Sequence, residues 1–120
     1  MKRNVLFALI LMSLCFSCST SQFKDIKAQL PDLAGIADGT YRGEYDIKGT
    51  PVKVTLDVIT DDHVISSVRI VKHSCSPIGK KAETLTGKIV KQQSLDIDAV
   101  SGATASSVAI LKAVENALHR

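Results

Sequence analysis

The residues with the most chemical potential in this sequence sit together in Asp98-Ala99-Val100-Ser101-Gly102-Ala103-Thr104-Ala105-Ser106-Ser107. Small and hydroxyl-bearing side chains crowd a turn that leads into a stretch of helical period. The start of a helix presents unpaired N–H groups and a positive dipole end, so such a turn receives an anion well, a phosphate above all. Gly102 removes the side chain that would hold a ligand off the backbone, Ala103 adds little bulk, and the hydroxyls of Ser101, Thr104, Ser106 and Ser107 can donate hydrogen bonds. The same hydroxyls also serve as plain helix caps, the commoner use of such a pattern. Other candidates are sparse. His73 ends a strand beside a turn, where it either flanks a ligand or is simply a partly exposed strand-end histidine. His63 in a loop and His119 at the chain end have no metal-ligand spacing. Lys80-Lys81 reads as a solvated helical turn that is also able to meet a phosphate or an acidic partner.

The elements that must position these residues follow from periodicity. Asp38-Gly39 opens the fold, and Tyr41 and Tyr45 favour a strand, as core or sheet-face residues. After the turn Lys48-Gly49-Thr50-Pro51, the apolar Val52, Val54, Leu56 and Val58 alternate with Lys53, Thr55 and Asp57, which predicts a strand with one face on a core. Thr60-Asp61-Asp62-His63 is a hairpin connection. Val64, Ile65, Val68, Ile70 and Val71 make the return strand, its alternation disturbed at Ser66-Ser67. A break at Ser76-Pro77-Ile78-Gly79 precedes an amphipathic helix over 80–93, with Ala82, Leu85 and Ile89 on one side and Gly87 weakening it. A second helix runs from about Ser106 to Leu118 through Val108, Leu111 and Val114, with Ser106-Ser107 as capping residues. The expectation is a single α+β domain, a twisted mostly antiparallel sheet with packed helices.

The N-terminus is of a different kind. Lys2-Arg3, the apolar run Val5 to Leu14 and small or polar residues around Cys18 follow the order of a secretory signal. The apolar run is ten residues long, against the roughly 20 that a spanning helix needs. Leu14-Cys15-Phe16-Ser17 before Cys18 resembles a bacterial lipobox, which implies cleavage after residue 17 and a lipid on Cys18; cleavage by ordinary signal peptidase is the alternative. The organisation is then a signal over 1–17, a tether over 18–37 with a helical turn around Phe23 to Leu30, and a folded domain over 38–120. Cys75 remains the lone thiol of the mature chain, so it forms no intrachain disulfide and is buried, paired between chains or free.

Composition excludes one large class. The 120 residues carry 15 basic and 12 acidic side chains; without Lys2 and Arg3 the excess falls from three to one, no footprint for nucleic acid. Aromatic residues are 4% of the chain and tryptophan is absent, so there is no platform for stacking bases.

Asp98-Ala99-Val100-Ser101-Gly102-Ala103-Thr104 resembles the flavinylation signature of the FMN-binding domain family: an aspartate, two free positions, Ser or Thr, then Gly-Ala-Thr. Asp38-Gly39-Thr40-Tyr41-Arg42-Gly43 is similar to that family's opening Asp-Gly-x-Tyr-x-Gly, and Gln93-Ser94 followed by Leu95-Asp96-Ile97-Asp98 to its Gln-Ser and acidic lead-in. The likeness spans about residues 38 to 118. One region departs: many members have Glu-Thr-Pro-Gly after the histidine, where this chain has Ser74-Cys75-Ser76-Pro77-Ile78-Gly79.

The resemblance implies FMN joined by a phosphoester bond to Thr104, made from FAD by a separate flavin transferase with a divalent metal. Asp98 is then an orienting or metal-adjacent carboxylate during transfer, or a turn-stabilising acceptor. It further implies an electron carrier without its own substrate site, working with a redox partner; together with the lipobox-like N-terminus, the expectation is a domain lipid-anchored outside the cytoplasm of a bacterium. Two rival readings are a non-flavinylated binding or structural lipoprotein of the same fold, and an accessory subunit feeding electrons to a partner reductase.

Overall fold

The computed structural model describes residues 27–119; the signal over 1–17, Cys18 and the first part of the expected helical turn at Phe23 lie outside them. Strands β1 (Gly39–Asp46), β2 (Lys53–Asp61) and β3 (Val64–Ser74) form one antiparallel sheet in chain order. Helix α1 (Leu85–Gln92) lies against β3, and α2 (Thr104–Leu118) against β1 and β2. The α+β expectation holds. Val54, Leu56 and Val58, the alternating residues of β2, are fully buried in a core shared with Leu85, Ile89, Ile110 and Val114.

The hairpin between β2 and β3 turns on Asp62 and His63, both left-handed at φ 52° and 62°, the geometry whose twist suits a two-residue connection. Neither residue adopts it freely, and Asp38 holds both: its carboxylate accepts the N–H groups of Asp62 at 3.0 Å and His63 at 3.2 Å. These backbone bonds, His63's first, hold the Asp38 carboxyl below the ordinary carboxylate range. A depressed folded-state pKa gives stability that is present above the unfolded value near 3.9 and lost as pH falls through the folded value. The urea midpoint of the parent should therefore exceed that of Asp38→Asn at pH 7, and the gap should close below about pH 4. Equal gaps at both pH values would assign the effect to shape and not charge.

The disturbance at Ser66-Ser67 is a bulge. Ile59 pairs with Ser67 and Thr60 with Ile65, which leaves Ser66 over, its hydroxyl donating to the Ile59 carbonyl at 3.1 Å. Val71 is left over in the same way between Ile70 and Lys72 and is exposed.

The helix expected over 80–93 is two pieces, a 3-10 turn at Gly79–Thr84 followed by α1. The Thr84 hydroxyl donates to the Lys81 carbonyl and that of Thr86 to Glu83, each at 2.9 Å. These bonds reach back three residues, the spacing a 3-10 helix keeps. Gln93 ends α1 in the left-handed region at φ 50°, and its side-chain amide pairs with the edge of β3. Its Oε1 accepts the Ile65 N–H at 2.8 Å, while its Nε2 donates to the carbonyls of Ile65 and Val90 at 2.8 and 2.6 Å. Gln93→Ala strips these partners from half-buried backbone groups and should cost about 2–3 kcal/mol in urea unfolding; a loss under about 0.5 kcal/mol would mean that water replaces the amide.

Part of the expected tether is fastened to the domain. Ala28, Leu30, Leu33 and Ile36 pack against the core, Leu33–Gly35 forms a short 3-10 turn closed by Asp32, and the Gln29 N–H donates to the Glu115 carboxylate on α2. Residues 27–30 are not helical. Among the described residues no helix is long and apolar enough to cross a membrane.

Candidate functional site

The residues Val100 to Ala103 form a tight turn in which the Ala103 N–H donates to the Val100 carbonyl at 2.9 Å. Gly102, its third residue, has φ +79°, the left-handed position of a type II turn that glycine fills without strain. The turn is locked from below by Ser107. That hydroxyl, fully buried, accepts the Val100 N–H at 2.9 Å and donates to the Ala103 carbonyl at 2.7 Å. Ser107 thus shapes the turn and is not on its surface. Ser107→Ala should cost about 1–2 kcal/mol and speed amide exchange at Val100; unchanged exchange there would free the turn from dependence on this hydroxyl.

Helix α2 begins at Thr104, two residues before the expected start, with Ala103 as its N-cap. Alanine has no group to cap with, no other side chain caps this end, and the first turn holds no acidic residue. The first helical bond runs from the Ser107 N–H to the Ala103 carbonyl, so the N–H groups of Thr104, Ala105 and Ser106 precede it and have no partner four residues back. The cap reading of these hydroxyls is therefore not what the structure displays. A fifteen-residue helix starts with its dipole and donors uncomplemented, the condition under which an anion binds.

Around this start the side chains divide. Thr104, Ser101 and Asp98 are exposed, and none makes a side-chain hydrogen bond among the described residues. The second reading of Asp98, as an acceptor that stabilises its own turn, thus lacks its bond. Ser106 is buried beneath the turn that follows β3: a Cβ on Gly79 would lie 2.6 Å from the Ser106 Oγ and 2.8 Å from the Cys75 Cβ. The two turns meet again at Gly102, where a Cβ would be 3.6 Å from the Ile78 Cγ2. Ser76-Pro77-Ile78-Gly79, a plain break in the sequence, is therefore one wall of the site. Pro77 and Gly79 were the available signal for it; the contact itself joins residues more than 20 apart and has no local signature.

His73 is not the exposed strand-end residue expected of an unengaged histidine. It pairs with Val54, so both side chains face the core, and its imidazole is 2% exposed. Its Nδ1 lies 3.0 Å from Glu83 Oε1, while its Nε2 is buried without a partner. Lys80 and Lys81 are exposed just past Gly79. Among the described residues no group of three or more His, Cys, Asp or Glu side chains is placed to hold a metal ion. Cys75 is a half-buried free thiol.

The residues present fit a phosphate-bearing cofactor. The uncapped helix start would hold the phosphate, Gly102 leaves room beside the backbone, and Thr104 offers a free hydroxyl at the first helical position. An uncharacterised protein of Treponema pallidum (strain Nichols) is 38% identical over 96 residues, which are 78% of this chain and 26% of that protein; the chain spans about a quarter of its relative's length. The family model of the FMN-binding domain matches residues 48–119, from the turn before β2 through the end of α2, and by that match the chain belongs to the FMN-binding domain family.

Proposed function

We propose that this domain carries FMN joined through its phosphate to the Thr104 hydroxyl and relays electrons outside the cytoplasm, held to a bacterial membrane by a lipid on Cys18. The observation that carries the reading is the start of α2. An exposed threonine with an uncommitted hydroxyl stands at the first position of an uncapped helix, in a chain of the FMN-binding family whose Asp98-to-Thr104 segment resembles the family's attachment signature.

Attachment from FAD forms the bond between Thr104 Oγ and the FMN phosphorus, breaks the bond from that phosphorus to the adenylate, and releases AMP. The hydroxyl must lose its proton in this step. An alkyl hydroxyl is a weak nucleophile without a base or metal, and the Thr104 hydroxyl is hydrogen-bonded to no base among the described residues. The transferase therefore supplies the activation. Asp98, with its carboxylate uncommitted, suits a role beside the transferase's metal ion, whose other ligands come from the phosphates and the enzyme.

Once bound, the flavin accepts or gives electrons singly or in pairs, which lets it join two-electron donors to one-electron acceptors. The chain's own part is to hold the phosphate against the N–H groups of α2, keep the turn rigid through Ser107, and leave the ring open to a partner. Covalent linkage retains a cofactor that dilution outside the cytoplasm would otherwise remove. The test is to produce the chain with a flavin transferase, then denature and dialyse it. Retained flavin fluorescence and an intact-mass gain of one FMN group support the reading, and a colourless chain favours the non-redox alternative.

A further inference from the structure

We propose that the flank built by β3, the 3-10 turn and α1 is a docking surface for a protein with an acidic face, the redox partner of the proposed function. The redox identity of the partner rests on that reading; the surface itself does not. Charge is divided unevenly over this domain. From Arg69 to Lys91 the chain carries six basic side chains and one acidic, a net +5, while the other described residues carry five basic and ten acidic, a net −5. The positive excess thus belongs to one stretch of a domain that is balanced as a whole.

The fold keeps that stretch together. β3 is an edge strand and α1 lies against it, so the segment that leaves β3 and returns as α1 forms one side of the molecule. Arg69, Lys72, Lys80, Lys81, Lys88 and Lys91 are all exposed. None of the five lysines makes a side-chain hydrogen bond or ion pair among the described residues, and the single acid, Glu83, lies against the His73 ring. Elsewhere Arg42 is closed on Asp57 at 2.8 Å and Lys112 on Glu115 at 2.9 Å. An unneutralised field of one sign draws in an oppositely charged protein and orients it on arrival. Val71 and Ile78, two of the three large exposed apolar side chains among the described residues, lie on the same stretch, and apolar contacts inside a polar rim are the usual anatomy of a protein interface.

A bilayer suits this surface less well. The stretch has no aromatic residue, and the apolar side of α1, with Leu85 and Ile89, is buried in the core, so the helix has nothing to insert among lipids. The position of the lysines favours a redox protein. Lys80 and Lys81 directly follow Gly79, which is seated on Ser106, two residues past Thr104. A protein held by these lysines stands beside the attachment residue.

The probe for the acidic face is a fluorescein-labelled peptide of glutamates alone, titrated with the full chain in neutral detergent and followed by anisotropy at about 10 mM ionic strength, where charges act over about 30 Å. Lys80→Gln/Lys81→Gln and Lys88→Gln/Lys91→Gln should each weaken binding about five-fold. Lys27→Gln/Lys48→Gln, an equal loss of charge off this flank, should weaken it by less than about two-fold. All three should keep the parent's urea midpoint, and the differences in binding should largely vanish at about 0.15 M salt. A parent that does not bind the peptide, or an equal loss in all three variants, overturns the inference. So does binding to phosphatidylglycerol vesicles that the peptide cannot displace, which assigns the flank to lipid, or low-salt self-association that Lys80→Gln/Lys81→Gln abolishes, which assigns it to a second copy. A chain that binds the peptide through this flank but never gains FMN mass overturns the redox identity of the partner and leaves the docking surface standing.

Discussion

Thr104→Ala is expected to lose flavin attachment altogether, a fall of at least about 100-fold in labelled chain when it is co-produced with a transferase, because no other hydroxyl occupies the same position. Ser101 is exposed but lies on the far side of Gly102, and the Ser106 hydroxyl is covered by the 75–79 turn. Thr104→Ser should still be labelled, since it keeps an oxygen at the first helical position. Fold and attachment separate cleanly here. Thr104 is exposed and its side chain makes no hydrogen bond among the described residues, so alanine should move unfolding stability by no more than about 0.5 kcal/mol. Intact mass and a urea melt on the same preparation read both. A stable Thr104→Ala chain that still gains FMN would move the linkage to another residue.

The second large effect is on the fold. A Cβ at Gly43 would stand 1.9 Å from the Ala113 carbonyl oxygen and 2.8 Å from the Ala117 Cβ and nitrogen, contacts no methyl group can make without displacing α2 from β1. The obstacles are a helix backbone and a methyl, neither of which swings aside. Gly43→Ala should therefore cost about 3 kcal/mol or more, at the upper end of what overpacking produces, and appear as a large drop in urea midpoint. A loss below about 1 kcal/mol would show that α2 can retreat from β1 at little cost.

The sequence carries the sheet well because its signals are local. The alternation from Val52 to Val58 sets the core face of β2, and the two serines that interrupt β3 coincide with a bulge one of them occupies. The helices are legible in kind but not in boundary. Lys80-to-Gln93 has the right period, yet its start, Gly79–Thr84, takes the tighter 3-10 form. At α2 the hydroxyls of Ser106-Ser107 suggest a cap, whereas the helix begins earlier, on an alanine. That Ser107 holds Val100, that Gln93 pairs with Ile65 and that Ile78 lies on Gly102 are contacts between separate segments, and periodicity within a segment is silent on them. The tether fails differently. Ala28, Leu30, Leu33 and Ile36 are too scattered to announce a strand or helix, but a chain lying across a core needs no period to bury them.

Gln29 joins Glu115 near the last turn of α2, while Thr104 stands at its first. Eleven residue steps of helix separate the two, about 16 Å at 1.5 Å per residue. Where the chain comes onto the domain and where the hydroxyl leaves it are thus opposite ends of a rigid mast. A group carried on Thr104, as proposed above, would be held that length away from the Gln29 contact.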